Sequence, residues 1–362
     1  MRAPEPSANR GAAESAASIP EKSPYIRVAR FYETLPGRRV RCRLCPRECV
    51  VAPRQRGYCG VRENRDGILY TLVHSRVCAA QVDPVEKKPL FHYLPGTTAF
   101  SIATAGCNVN CKFCQNWDIS QSRPEKAHAE YAPPRRVAEL ARQAHCPTIA
   151  FTYGEPVVFA EYLMDTADAG HAAGLRSLVV SNGYIQHAAL LEAYGRMDAV
   201  KIDLKAFSES YYARIVSGAL KPVLESLVTL RELGKWTEIV YLAVPGLNDS
   251  DGELRGLAQW IRANLGAEVP LHFTRFHPEY RMQDLPMTPV ATLERAKAIA
   301  DAEGLHYVYI GNVPGHPGQN TYCPGCGGLL VERTGFTAGR MLIGRDGACP
   351  FCARLIPGIW HA

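Results

Sequence analysis

No stretch of this 362-residue chain approaches the roughly 18 consecutive apolar residues that suggest a membrane-spanning helix. The first 24 residues, MRAPEPSANRGAAESAASIPEKSP, lack the apolar core of a secretion signal, and a disordered tail is expected there. Charge of one sign is scarce too. The net charge is +6, with Lys and Arg spread along the chain. Neither a membrane nor nucleic acid is therefore an expected partner. The one basic stretch, GRRVRCRLCPRECVVAPRQRG (37–57), carries seven arginines and one glutamate, and a solvated surface beside a metal site explains it more simply. Helical periodicity is missing from the Gly- and Pro-rich residues 311–362. What remains is a globular chain long enough for one main domain with appended pieces.

Cysteine is abundant instead. The thirteen fall into sets at 42, 45, 49 and 59, at 107, 111 and 114, and at 323, 326, 349 and 352, with Cys78 and Cys146 alone. Thiols two or three residues apart, without a secretion signal, point to metal ligation in a reducing compartment rather than to disulfides, hence to the cytoplasm. In the last set, CPGC and CPFC are separated by 22 residues. Cys323, Cys326, Cys349 and Cys352 thus read as a closed structural site, zinc first and iron as the alternative. Cys42, Cys45, Cys49 and Cys59 also offer four ligands; zinc is favoured and an additional iron–sulfur cluster is the alternative. Cys107, Cys111 and Cys114 have no fourth cysteine nearby. Cys146 reads as a buried core thiol, so the triad suits three irons of a four-iron cluster with the last iron open to a chelating small molecule.

From residue 99 onward, strand-like runs (99–106, 148–154, 176–183, 199–207, 238–246, 271–278 and 306–312) alternate with amphipathic helical patterns. Such alternation predicts an α/β fold with a parallel sheet, doubly wound or barrel-like. In both, chemistry gathers after the carboxyl ends of the strands. The residues there are Cys107, Gly154-Glu155-Pro156, Asn182-Gly183, Lys205, Pro245-Gly246 and His277. The expected organisation is a tail (1–24), a four-cysteine module with connector (25–98), a barrel (99–310) and a zinc-ribbon-like module (311–362).

The spacing C-x3-C-x-Phe-C, with Phe113 as the aromatic, resembles the signature of the radical S-adenosylmethionine (SAM) superfamily. The resemblance implies a partial (β/α)6-type barrel, a 4Fe-4S cluster on Cys107, Cys111 and Cys114, and SAM chelating the open iron. YGEP (Tyr153, Gly154, Glu155, Pro156) resembles the superfamily's Gly-Gly-Glu-Pro element, which binds the SAM amino group. Tyr153 replaces the first glycine, so contact there falls to backbone atoms. The plainer reading is a strand-to-helix turn begun by Pro156. Asp203 and Lys205 in VKIDLKAF resemble the Asp-x-Lys stretch that glycyl-radical activating enzymes place near the SAM carboxylate, against the plainer reading of a buried ion pair. VVSNG resembles those enzymes' Asp-Thr-Asn-Gly with Val180 in place of the aspartate, which leaves Asn182 and Gly183 for the adenosyl end. His277 stands where they carry a histidine near SAM.

The ordered series CRLCPREC, DPVEKKPLFHYLPG, CKFCQNWDIS, RFHPEY, GQNTYCPGCG and IPGIW looks like the AmmeMemoRadiSam-system radical SAM enzymes. That resemblance implies a flavodoxin- or ferredoxin-type electron donor and AMMECR1-type and Memo-type proteins as partners, with a protein or a small molecule as substrate. A multi-zinc scaffold or nucleic-acid-binding protein is the alternative. It accounts for the two four-cysteine sets but not for the triad, YGEP or Asp-Leu-Lys.

Overall fold

The alternating strands and helices assemble into one eight-stranded sheet in a computed structural model, which describes residues 23–344 and 346–361. Residues 1–22 of the expected tail lie outside the described residues. The strands are β1 (Ala79–Pro84), β2 (Thr98–Ala103), β3 (Thr148–Phe151), β4 (Arg176–Ser181), β5 (Ala199–Asp203), β6 (Trp236–Ala243), β7 (Leu271–Arg275) and β8 (Val308–Gly311). β1 pairs antiparallel with β2, and the other neighbours are parallel. The spatial order follows the sequence from β1 to β8, and the two edge strands do not pair. A doubly wound sheet would reverse its strand order; sequential order carries every crossover the same way, as in a barrel. The sheet is therefore a barrel left open.

Six longer helices form the crossovers: α1 (Pro134–Gln143), α2 (Ala160–Ala172), α3 (His187–Ala193), α4 (Leu220–Glu232), α5 (Asp251–Asn264) and α6 (Val290–Ala302). α4 buries one stripe with Leu220, Val223, Leu227 and Leu230, whereas α2 is buried over most of its length. α5 starts where the Ser250 hydroxyl accepts from Glu253 N at 3.3 Å. All four residues of β3 are buried, as expected of a strand covered on both faces.

The connector does more than link modules. Residues 85–94 fold against the amino ends of the strands, where Phe91 N and His92 N donate to the buried Glu238 carboxylate at 2.9 and 2.8 Å. His272 Nε2 contacts the same carboxylate at 2.7 Å. Burial pushes the His92 imidazole down to about 4, so it stays neutral near pH 7. Nδ1–H then donates to Pro357 O at 2.7 Å and Nε2 accepts from the Tyr309 hydroxyl at 2.6 Å. Phe91, Tyr307, Tyr309, Leu330, Ile356 and Trp360 share one apolar cluster. The last region thereby packs onto the plug through a three-stranded sheet (Thr321–Tyr322, Leu329–Thr334, Thr337–Met341). Two further three-stranded antiparallel sheets build the segment before β1.

Candidate active site

Immediately beyond β2, Gly106 turns the chain with φ +103°, and a Cβ there would stand 2.6 Å from Val61 and 3.0 Å from Cys59 O. Gly106 N donates to Ile119 O at 3.0 Å, Asn110 N to Val216 O and Lys112 N to Ile215 O, both at 3.0 Å. The loop so held turns Cys107, Cys111 and Cys114 into a cavity of about 490 Å³, within the usual range for a cofactor or small-molecule pocket. Burial drives the Cys107 thiol well up and the Cys111 thiol to about 12, so a metal must displace their protons. Among the described residues only the terminal cysteine set brings three or more ligand atoms within 4.8 Å of one another. The triad is thus spread wider than one ion needs, which fits a polynuclear cluster. Cys146 is buried elsewhere, 3.4 Å from Thr98 Oγ1 at the other end of β2.

YGEP closes the next side. Tyr153 adopts φ +62°, a region glycine enters without cost, and its hydroxyl is tied to the Asp83 carboxylate. Asn116 Nδ2 donates to Tyr153 O at 3.0 Å. Gly154 is required sterically, since a Cβ there would lie 2.7 Å from Thr104 O, at the end of β2. Gly154→Ala should therefore displace the cysteine loop and destabilise the protein by about 1–3 kcal/mol, read by urea denaturation together with iron bound per chain.

Glu155 is a tie rather than a free acid. Its Oε1 accepts from Ser181 Oγ at 2.7 Å and Val157 N at 3.1 Å, and its Oε2 from Asn182 N at 2.9 Å. Burial raises its carboxyl to about 7 against those donors. Pro156 opens a buried turn behind the cavity wall. Asn182 lines the cavity; its Nδ2 donates to Asn108 Oδ1 at 2.9 Å and stands 4.0 Å from Cys107 Sγ. Gly183, with φ +69°, packs against Val223 and Ile202 and is not among the lining residues.

On β5 and just beyond it, Lys201, Asp203 and Lys205 all reach the cavity. Lys205 Nζ meets Asp203 Oδ2 at 2.9 Å, and Lys201 is paired with Oδ1. Burial alone would raise the Asp203 carboxyl, but the two ammonium groups hold it at about 2. Asp203 and Lys205 form an ion pair, as in the plainer sequence reading, and the pair faces the cavity. His277 sits exposed on the cavity rim.

Lys201 escaped the sequence reading although it lies two residues before Asp203, where strand periodicity puts it on the same face. Lys88, opposite, is pushed down to about 8 by burial despite Asp83. Phe336, on the hairpin of the last region, reaches the cavity from outside. The arginine-rich stretch is largely paired: Arg41 and Arg43 with Glu33, Arg43 with Glu48, and Arg56 with Glu63 and Glu125.

The other two cysteine sets do not line this cavity. Cys323 and Cys352 sulfurs are 3.6 Å apart and those of Cys326 and Cys349 3.7 Å, with all four within 4.8 Å. Four sulfurs at that spacing suit one tetrahedral ion. Cys42, Cys45, Cys49 and Cys59 line a separate, mostly apolar cavity.

Residues 101–258 match the radical SAM superfamily. An uncharacterized protein of Methanocaldococcus jannaschii is 44% identical over 313 residues, covering 86% of this chain and 93% of its own length. This chain belongs to the radical SAM superfamily. The matched span includes the triad, YGEP, Asn182, Asp203 and Lys205, and stops short of His277. Two activating enzymes are more distant relatives. The benzylsuccinate synthase activating enzyme of Thauera aromatica is 23% identical over 130 residues, 36% of this chain and 39% of that enzyme. The pyruvate formate-lyase-activating enzyme of Clostridium pasteurianum is 21% identical over 193 residues, 50% of this chain and 80% of that enzyme.

Proposed function

We propose that this radical SAM enzyme cleaves SAM reductively at a 4Fe-4S cluster on Cys107, Cys111 and Cys114 and uses the product to take a hydrogen atom from its substrate. The observation that carries this is three buried or half-buried cysteines facing a cavity of about 490 Å³ with no fourth thiol beside them. When bound, cluster and SAM supply one electron, the broken sulfonium bond and a 5′-deoxyadenosyl radical. The chain's own residues bind and orient. Lys205, neutralised only in part by Asp203, is placed to receive the SAM carboxylate, and the backbone of Tyr153–Glu155 the amino group. Asn182 fixes the wall beside Cys107. Lys87–Pro89 of the plug and Phe336 line further parts of the cavity.

The activating-enzyme relatives support an activase-like role on a protein substrate, with a flavodoxin- or ferredoxin-type protein supplying the electron. The motif series resembling the AmmeMemoRadiSam enzymes supports AMMECR1-type and Memo-type partners. The sulfur spacing of Cys323, Cys326, Cys349 and Cys352 supports a structural zinc. A multi-zinc scaffold would leave the cavity and its buried charges without a role.

The test is anaerobic reconstitution with iron and sulfide, then SAM and dithionite. Release of 5′-deoxyadenosine and methionine is expected, with deuterium entering 5′-deoxyadenosine from a labelled true substrate. Iron-replete protein that leaves SAM intact overturns the reading.

A further inference from the structure

Cys42, Cys45, Cys49 and Cys59 are a four-thiol set, yet they are not arranged like the terminal one. A zinc ion with Zn–S bonds near 2.3 Å sets tetrahedral sulfurs about 3.8 Å apart. The terminal set is pinched to that size, whereas no three of the first four sulfurs approach one another within 4.8 Å. In this they resemble the Cys107 triad. They line one small cavity with Leu44, Val51, Val157 and Val158, an apolar shell around the sulfurs.

Arg62 supplies an independent sign. It lines the same cavity, is 1% exposed, and uses only Nη2, which donates to Arg30 O at 2.7 Å and to Glu161. Its Nε and Nη1 are buried without a partner. Guanidinium N–H groups left so are costly unless something in the cavity accepts from them. A cluster bearing four thiolates offers negative charge and sulfur acceptors.

We propose that Cys42, Cys45, Cys49 and Cys59 hold a second 4Fe-4S cluster, ligated by protein at every iron and closed to substrate. The two sites share a wall. A Cβ on Gly106 would meet Cys59 O at 3.0 Å. Asn108, which follows Cys107, lines the second cavity and is bonded through Asn182 to the first. On the outer side stand Tyr58, about half exposed, and Arg47, whose guanidinium lies 3.4 Å from the Tyr58 ring centre. The second cluster is then an electron relay. A reduced flavodoxin- or ferredoxin-type donor loses one electron to it, and it passes that electron to the triad cluster with no bond made or broken. The relay rests on the proposed SAM cleavage; the cluster itself does not.

The test is the full-length Cys107/Cys111/Cys114→Ala variant, isolated anaerobically. It should keep about four irons and, once reduced with dithionite, an electron paramagnetic resonance signal unmoved by SAM. Wild type should hold about eight irons, with two reduced-cluster signals of which SAM shifts only one. The wild-type spectrum decides the matter even if the variant does not fold. Wild type with about four irons, a single signal and two zinc ions overturns the proposal. Eight irons and two signals without SAM cleavage would leave the second cluster standing and remove the proposed function.

Discussion

A chain with Cys107, Cys111 and Cys114 all replaced by alanine is expected to release no 5′-deoxyadenosine above the protein-free background under conditions in which wild type turns over. No other cysteine is among the residues lining the cavity. Cys146 is buried at the far end of β2, and Cys59 meets the cysteine loop through its backbone oxygen at Gly106. The fold should survive, because the loop is pinned mainly through its backbone, by Gly106 N to Ile119 O and by Asn110 and Lys112 N to the 215–216 backbone. Unchanged far-ultraviolet circular dichroism and an unchanged urea midpoint would certify that. Residual SAM cleavage by this variant, in iron-replete preparations, would remove the cluster assignment. Ultraviolet-monitored chromatography of the nucleoside product is the measurement.

The parts of this site that the sequence displays are those whose chemistry is local. Three cysteines within eight residues, a Gly-Glu-Pro turn and an Asp-x-Lys pair are each readable where they stand, because strand ends deliver them to one rim. What stayed hidden depends on distant partners. Glu238 becomes the anchor of the plug only through Phe91 and His92, nearly 150 residues away, and no periodicity announces the connector. Lys201 was hidden for another reason. A lysine inside a strand suggests an exposed edge, but β5 lies between β4 and β6 and turns that side chain onto the Asp203 carboxylate. Tyr153 shows the reverse limit: the motif position was legible, while its left-handed backbone and tie to Asp83 were not. The first region's sheets were missed because strands of two to four residues carry too little alternation. The strand read across 199–207 ends at Asp203, so Lys205 reaches the cavity from a loop.

Replacing Asp203 by asparagine should have the second large effect, and on stability first. Asp203 is the shared counter-charge of Lys201 and Lys205, whose side chains are 6% and 18% exposed. Removing one partner of a buried charge group leaves the others unpaired and costs about 3–5 kcal/mol. Burial already pulls the Lys201 ammonium down, and without Asp203 it should fall further. The wild-type contribution has a definite pH window. A carboxyl held at about 2 in the folded chain stabilises fully above its ordinary value near 4 and loses that contribution as pH falls toward 2. The shift alone is worth about 2 kcal/mol, so the wild-type and Asp203→Asn urea midpoints should converge on acidification. Lys205→Met separates the two roles of the group. It leaves the Lys201–Asp203 pair in place, so stability should change little while SAM binding weakens by at least about tenfold, as expected when a charge-assisted contact to a carboxylate is lost. Equal destabilisation by both variants, with SAM affinity intact in Lys205→Met, would make Lys205 part of the scaffold and return the SAM carboxylate to another residue.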